Sequence, residues 1–217
     1  MTEHKNDLPP IPRDVEQELA MLAPVKMRTP GYQFGMIAAT SVGFTGLVVA
    51  LVSLRNNLAH VAPQFWLAVA TAVLLGFTLP LYLAVVPPKG SMFPRQRLAT
   101  AVAFGAAMVI IALSLASVVW VGDMWAALAN CQGCLRISAL VSLVPVVLVC
   151  WMLRRSFIRV SRLFAASIGM SAGSLGFTAT ELHCANPEVW HILFTHVGMI
   201  AFAGLLGALI IPRSVEL

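Results

Sequence analysis

Residues 98–121 read LATAVAFGAAMVIIALSLASVVWV, a run of 24 residues without a charged side chain. A helix needs about 20 mostly apolar residues to cross the hydrocarbon of a bilayer, so this stretch predicts a transmembrane helix. The chain as a whole has the same character, because 59% of its 217 residues are hydrophobic and only 11% are charged. Too little polar surface remains to cover a water-soluble globule. The sequence therefore predicts an all-α membrane protein.

Further runs free of Asp, Glu, Lys and Arg lie on both sides of this stretch. The six predicted transmembrane spans are residues 34–54, 65–86, 98–121, 137–153, 163–180 and 192–211. We expect a cytoplasmic tail over residues 1–33, a six-helix transmembrane domain over 34–212 and a cytoplasmic C-terminus over 213–217. Nothing resembling a signal-peptide cleavage site follows the first run, so we expect that helix to be retained. The absence of Asp, Glu, Lys and Arg from the spans argues against a proton-coupled transporter.

The positive charges predict which way the chain faces. Lys and Arg in short connections favour the cytoplasmic side of a membrane. Twelve of the fourteen lie in the N-terminal tail, the second and fourth connections and the C-terminus, leaving only Arg55 and Arg136 on the other side. We therefore expect both termini in the cytoplasm. The net charge of +5 then reflects topology and contact with lipid headgroups, and no direct binding of nucleic acid is expected.

This topology places most cysteines and histidines together on the outer side. Thiolate and imidazole are the ligands that zinc and similar soft divalent ions prefer. Short connections make spans four, five and six neighbours, so we predict a closed shell of Cys131, Cys134 and Cys184 with His183 or His196. The outer residues are Cys131, Cys134, Cys184, His60, His183, His191 and His196.

The spacing of the last two histidines separates their predicted roles. His191 and His196 are five residues apart, which turns them about 140° from each other on a regular α-helix. They cannot then bind one ion together, and His196 is the better candidate. We interpret His191, together with His60 and Cys150, as an ordinary packed or hydrogen-bonded residue.

A redox site is the competing interpretation of the outer cysteines. Outside the cytoplasm an oxidising compartment favours disulfides, and Cys131 and Cys134 have the Cys-x-x-Cys spacing of a reversible pair. Alternatively, Cys184 can form a disulfide with the third connection. The runner-up function is accordingly a membrane thiol-disulfide oxidoreductase. Three outer cysteines and few outer charges make it less favoured, because such an enzyme is expected to show two cysteine pairs or a basic residue near a quinone.

The N-terminal tail contains RDVEQELAMLAPVK, residues 13–26. Asp14 and Gln17 resemble a capping box, and apolar residues recur at helical spacing until Pro24, so a short amphipathic helix is predicted. A helix of this length is unstable alone in water and should fold against the bilayer, the protein itself or a cytoplasmic partner. Its acidic start favours a partner. The predicted partner-binding residues are Asp14, Val15, Glu18, Leu19 and Leu22.

Small residues recur in the last two spans. SIGMSAGSLGF, residues 167–177, contains Gly169-x-x-x-Gly173, and AGLLGALI, residues 203–210, has similar spacing. Such residues let transmembrane helices approach closely. We therefore predict tight packing here and no binding site.

Several stretches together resemble the NrsF-type bacterial membrane anti-sigma factors. They are CQGCLRIS at 131–138, MLRRSF at 152–157, ELHC at 181–184 and VWHILFTHVG at 189–198. The first half of the chain agrees with the family mainly in layout.

The resemblance implies a negative regulator without enzymatic activity. Such a protein holds an extracytoplasmic-function sigma factor at the inner membrane and releases it under metal or redox stress. The matching sensor positions are Cys131, Cys134 and Cys184, with His183 and His196. The segment from Asp14 to Val25 matches the position of a sigma-binding segment.

Overall fold

The computed structural model describes residues 29–86, 93–120, 122–153 and 160–215, in which six long helices dominate. A short helix, Met124–Ala129, precedes the fourth, and one isolated β-bridge joins Val119 to Glu188. The long helices are α1 Pro30–Val52, α2 Pro63–Val85, α3 Phe93–Ala116, α4 Gln132–Leu153, α5 Arg162–His183 and α6, which combines Val189–His191, the π-helical turn Ile192–Val197 and Gly198–Val215.

All six long helices are long and apolar enough to cross a membrane, which confirms the six predicted spans and makes the chain a multi-pass membrane protein. The predicted amphipathic segment of the tail, with Asp14, Val15, Glu18, Leu19 and Leu22, lies outside the described residues.

Several long helices continue past the charged residues at which the predicted spans stop; Arg95 and Arg97 lie in α3, and α5 begins at Arg162. α4 includes Arg136 and α5 includes Glu181. Arg136 is exposed, whereas Glu181 is only 7% exposed. The prediction that the spans contain no Asp, Glu, Lys or Arg is therefore wrong at Glu181, and it no longer excludes a proton-coupled transporter.

α5 is the central helix of the bundle. Within the described residues it contacts each of the other five long helices, and 89% of its apolar stretch is buried, against 28% to 50% in the others. It nevertheless carries many hydroxyl groups. Each donates a hydrogen bond to a backbone carbonyl three or four residues earlier, which satisfies it without a partner helix. These residues are Ser167, Ser171, Ser174, Thr178 and Thr180.

Glycines let α5 approach α6 at backbone distance. A Cβ atom on Gly169 would lie 2.1 Å from the carbonyl oxygen of Ala203, and one on Gly207 would lie 2.6 Å from that of Ala165. A Cβ on Gly173 would lie 2.8 Å from the Cα of Ile200. No side chain fits at these positions, which confirms the predicted close packing of the last two spans.

The connections after α1, α3 and α5 meet at one end of the bundle, here called the cysteine end. The amide of Arg55 donates to the carbonyl of Leu182 over 3.0 Å, and that of Val119 donates to Pro187 over 2.9 Å. α3 and α5 begin at the opposite end, where Arg95, Arg97 and Arg162 lie. We call this the basic end.

Gly169→Ala should destabilise the bundle, because the added methyl group would overlap the backbone of α6. Overpacking of this kind costs about 1–3 kcal/mol, so the thermal unfolding temperature in detergent should fall. The matched control is Gly105→Ala in α3, where a Cβ atom meets nothing within 4 Å. Alanine favours helix there, so this variant should unfold at the parent temperature or above it. Equal unfolding temperatures for the two variants would contradict the packing.

Candidate functional site

Four metal-ligating side chains converge at the cysteine end: Cys134, Cys184, His191 and His196. Their ligand atoms all lie within 4.8 Å of one another. Cys134 belongs to the first turn of α4, Cys184 caps the end of α5, and both histidines come from α6. We call these four residues the Cys₂His₂ group. It joins three consecutive helices, and all its members except Cys184 are buried.

The histidines share a face because α6 is not a regular helix between them. Residues Ile192–Val197 form a π-helical turn, in which the amide of Gly198 donates to the carbonyl of Leu193. The i→i+5 pattern of a π-turn aligns residues five apart, as it does in many functional sites. The ring centroids of His191 and His196 are consequently 5.5 Å apart. The inference that they point about 140° apart is wrong, since it assumed an α-helix.

A buried carboxylate orients His196. The Nδ1 of His196 lies 2.8 Å from Oε1 of Glu181, and its Nε2 has no hydrogen-bond partner. A proton on Nδ1 that is donated to the carboxylate leaves the Nε2 lone pair available. Metal-binding histidines almost always make such a contact, which fixes their tautomer and ring orientation. The imidazole of His196 is therefore set up to act as a ligand.

Cys184 is the reactive thiol of the group. Its pKa is lowered well below the ordinary value, first because the Cys134 thiol donates a hydrogen bond to it, and further because His191 and His196 interact with it. Partial burial opposes this shift. The Nε2 of His191 lies 3.3 Å from the Cys184 sulfur. A thiolate is the form of cysteine that binds metals and attacks disulfides or oxidants.

Two predicted sensor residues lie outside the Cys₂His₂ group. The thiol of Cys131 is buried near Cys134, but it donates to the carbonyl of Leu128 over 2.9 Å. His183 lies 2.9 Å from the carbonyl of Ser53 through its Nδ1 and so contacts the end of α1. His183 is held at this carbonyl and is not among the four residues whose ligand atoms converge.

Sequence reasoning missed Glu181 and His191. Glu181 stands next to the predicted limit of span five, and its position one turn before Cys184 was an available signal. His191 had no comparable signal, because a π-turn leaves no clear mark in the sequence. His191 therefore cannot be recognised from spacing on a regular helix.

Two kinds of chemistry fit this geometry. Two sulfurs and two imidazole nitrogens can form a closed tetrahedral shell for zinc or a similar soft divalent ion. The cysteines are free thiols, and the proximity of Cys134 to Cys184 also suits a disulfide between α4 and the end of α5. A cavity of about 160 Å³ beside the group gives a path to it, lined in part by Arg55, Asn57, Ser117, Glu181, Cys184 and His196.

The comparisons with known proteins identify one family. A family model described as NrsF, negative regulator of sigma F, matches residues 19–216. This match confirms the resemblance drawn from the second half of the chain and extends it across the first half. No curated protein and no solved structure matches the chain.

Alkylation of Cys184 should depend little on pH between about 6 and 8 in metal-free protein, because its lowered pKa keeps it a thiolate. An ordinary thiol, with a pKa near 8.5, would react about tenfold faster per pH unit over this range. Iodoacetamide labelling followed by mass spectrometry of the Cys184 peptide measures the rate.

Cys134→Ala removes the main cause of the lowered pKa and should make the alkylation rate of Cys184 depend more strongly on pH. Cys150→Ala, farther along α4, is the matched control and should leave the profile unchanged. A tenfold rise per pH unit in the parent protein would contradict the thiolate assignment.

Proposed function

Because the chain belongs to the NrsF family of negative regulators of sigma F, we propose that it holds an extracytoplasmic-function sigma factor at the bacterial inner membrane. It releases this partner when the Cys₂His₂ group detects metal or redox stress. The observation that carries the proposal is the convergence of Cys134, Cys184, His191 and His196 at the cysteine end. Family membership supports the regulatory role, and the geometry supports the sensing chemistry.

The charge distribution supports a periplasmic sensor and a cytoplasmic partner. Arg95, Arg97 and Arg162 lie at the basic end, and most other Lys and Arg residues belong to the tail and to the connections at that end. The cysteine end has Arg55 and Arg136. By the positive-inside rule the basic end faces the cytoplasm, so the Cys₂His₂ group faces the periplasm.

The resident ligand of the group is proposed to be zinc or another soft divalent ion. Four donors of the preferred types lie within 4.8 Å of one another, and the Glu181 contact orients His196 as a ligand. A bound ion would hold the start of α4, the end of α5 and the π-turn of α6 together. A softer metal ion would compete with the resident ion for the two cysteine sulfurs.

Oxidation offers a second route to the same response. Cys134 and Cys184 would form a disulfide, losing two protons and two electrons to a two-electron oxidant such as a peroxide, which is reduced to water. This reaction removes both sulfur ligands at once. Cys131, buried beside Cys134, is placed to exchange with the new disulfide.

The helix packing supports a mechanism by which a change at the cysteine end would alter the basic end. α5 and α6 are in backbone contact along much of their length, as Gly169, Gly173 and Gly207 require, so they should move as one body. α4 also packs against α5, where the hydroxyls of Ser138 and Ser142 face Gly176. We propose that a change at Cys134 shifts α4 against the α5–α6 pair, which is the two-state element that a switch needs.

The cytoplasmic contact is assigned to the N-terminal segment from Asp14 to Val25. Its predicted apolar stripe and acidic start suit a helix that folds on a partner surface. The partner-facing residues of this proposal remain Asp14, Val15, Glu18, Leu19 and Leu22.

A thiol-disulfide oxidoreductase is the second candidate function. The observation that favours it is a low-pKa thiol, Cys184, beside a second thiol and a cavity. Such an enzyme would oxidise or reduce a dithiol substrate over many cycles. The regulator would change state once per signal, so multiple turnovers with a dithiol peptide and a quinone would favour the enzyme.

Purified protein should bind about one zinc per chain, measured by elemental mass spectrometry in detergent. Cys134→Ala and His191→Ala should each remove most of this zinc. Cys131→Ala and His183→Ala are matched controls and should retain it, because both residues lie outside the group. Glu181→Gln should weaken zinc affinity about 10–100-fold, as loss of an orienting carboxylate does at other sites. Zinc retained by His191→Ala would contradict the proposed ligand set.

Cys184→Ser should abolish release of the sigma factor in response to cadmium or peroxide. A reporter driven by the partner sigma factor measures release, and Cys150→Ser is the matched control. Deletion of residues 1–28 should instead give constant reporter activity, because the sigma factor is no longer held. A Cys184→Ser strain that responds like the parent would refute the sensing role, and a sigma factor still bound after the deletion would remove the tail from the mechanism.

A further inference from the structure

A groove of about 510 Å³ lies at the basic end, far from the Cys₂His₂ group. It runs between the first turns of α3 and α5 and takes no part in the function proposed above. Its size is in the range of sites for small organic molecules. The lining includes Gln96, Arg97, Ala101, Phe104, Ser161 and Leu163.

The mouth of the groove favours an anion. Arg97 is exposed there, and no acidic side chain is among the lining residues. Ser161 caps α5 by accepting a hydrogen bond from the amide of Phe164 over 3.2 Å, so its own hydroxyl proton can be donated to a ligand. The start of α5 also contributes the positive end of its helix dipole. Together these groups fit a phosphate oxygen.

The wall of the groove is apolar beyond this mouth. Ala101 and Phe104 follow Arg97 along α3, and Phe104 lies about 10 Å deeper at 1.5 Å per residue. Phe104 is 43% exposed and Leu163 is 67% exposed, although both are large hydrophobic residues. Because α3 and α5 are membrane-spanning candidates, this wall faces acyl chains. A free phosphate ion would use only the mouth, whereas a phospholipid would use both parts.

We propose that this groove is a binding site for one anionic phospholipid. The phosphate lies at Arg97 and Ser161, and one acyl chain lies along Ala101 and Phe104. The charged mouth sets the preference for an anionic headgroup, and the apolar wall sets the requirement for a chain. The site lies in the leaflet that meets the basic end, and it does not depend on the sigma factor or on the cysteines.

Native mass spectrometry of the full chain, released from nanodiscs that contain equal phosphatidylglycerol and phosphatidylcholine, tests the proposal. The parent protein should retain about one phosphatidylglycerol in preference to phosphatidylcholine. Arg97→Gln should lower the retained phosphatidylglycerol about fivefold, the factor expected for one arginine near the headgroups. Arg136→Gln, which removes an exposed arginine at the cysteine end, is the matched control and should have no effect.

A second variant tests the apolar half. Ala101→Trp should fill the groove and lower retention of both lipids, while its unfolding temperature in detergent stays at the parent value because Ala101 is exposed. Inorganic phosphate at millimolar concentration should not displace the lipid. Equal retention in Arg97→Gln and the parent, unchanged retention in Ala101→Trp with parent stability, or displacement by inorganic phosphate would each overturn the proposal.

Discussion

The backbone contact between α5 and α6 is the constraint on which the candidate site depends. Glu181 belongs to α5 and His196 belongs to α6, and the close approach of the two helices holds their 2.8 Å contact in place. Gly169, Gly173 and Gly207 make that approach possible, since any Cβ atom there would overlap the opposite helix. The chemistry at the cysteine end thus depends on residues in the middle of the membrane that carry no chemistry themselves.

The π-turn in α6 shows how one local irregularity defines a site. A regular helix would direct His191 and His196 to different neighbours, and the group would lose one of its two imidazoles. The turn places both rings on the face that meets Cys184, with 5.5 Å between their centroids. π-Turns are less stable than α-helix and persist where the surrounding structure compensates. Here the neighbours that face it include Glu181, Cys134 and Cys184.

Much of the fold was predictable, because apolar runs of about 20 residues leave few alternatives to transmembrane helices. The cysteine side was also predictable, since six alternating spans place Cys134, Cys184 and His196 at one end. The limits of the spans were less predictable. The rule that a span contains no charged residue ended span five before Glu181, whereas in the structure the contact with His196 lets the helix include that carboxylate. Predicting the ligand set would have required knowledge of the helix register and of the π-turn. Without it, the sequence analysis preferred His183 over His191 and included Cys131.

The hydroxyl-rich character of α5 also bears on how the protein is made. It is the least hydrophobic of the six long helices, yet it is the most deeply enclosed. On its own such a segment gains little from leaving the translocon for lipid, and Glu181 adds a further cost. We therefore expect α5 to remain beside α4 at the translocon until α6 emerges from the ribosome. The α5–α6 hairpin would then insert and pack in one cooperative step. Biogenesis of the protein would then be sensitive to changes in the apolar length of α6.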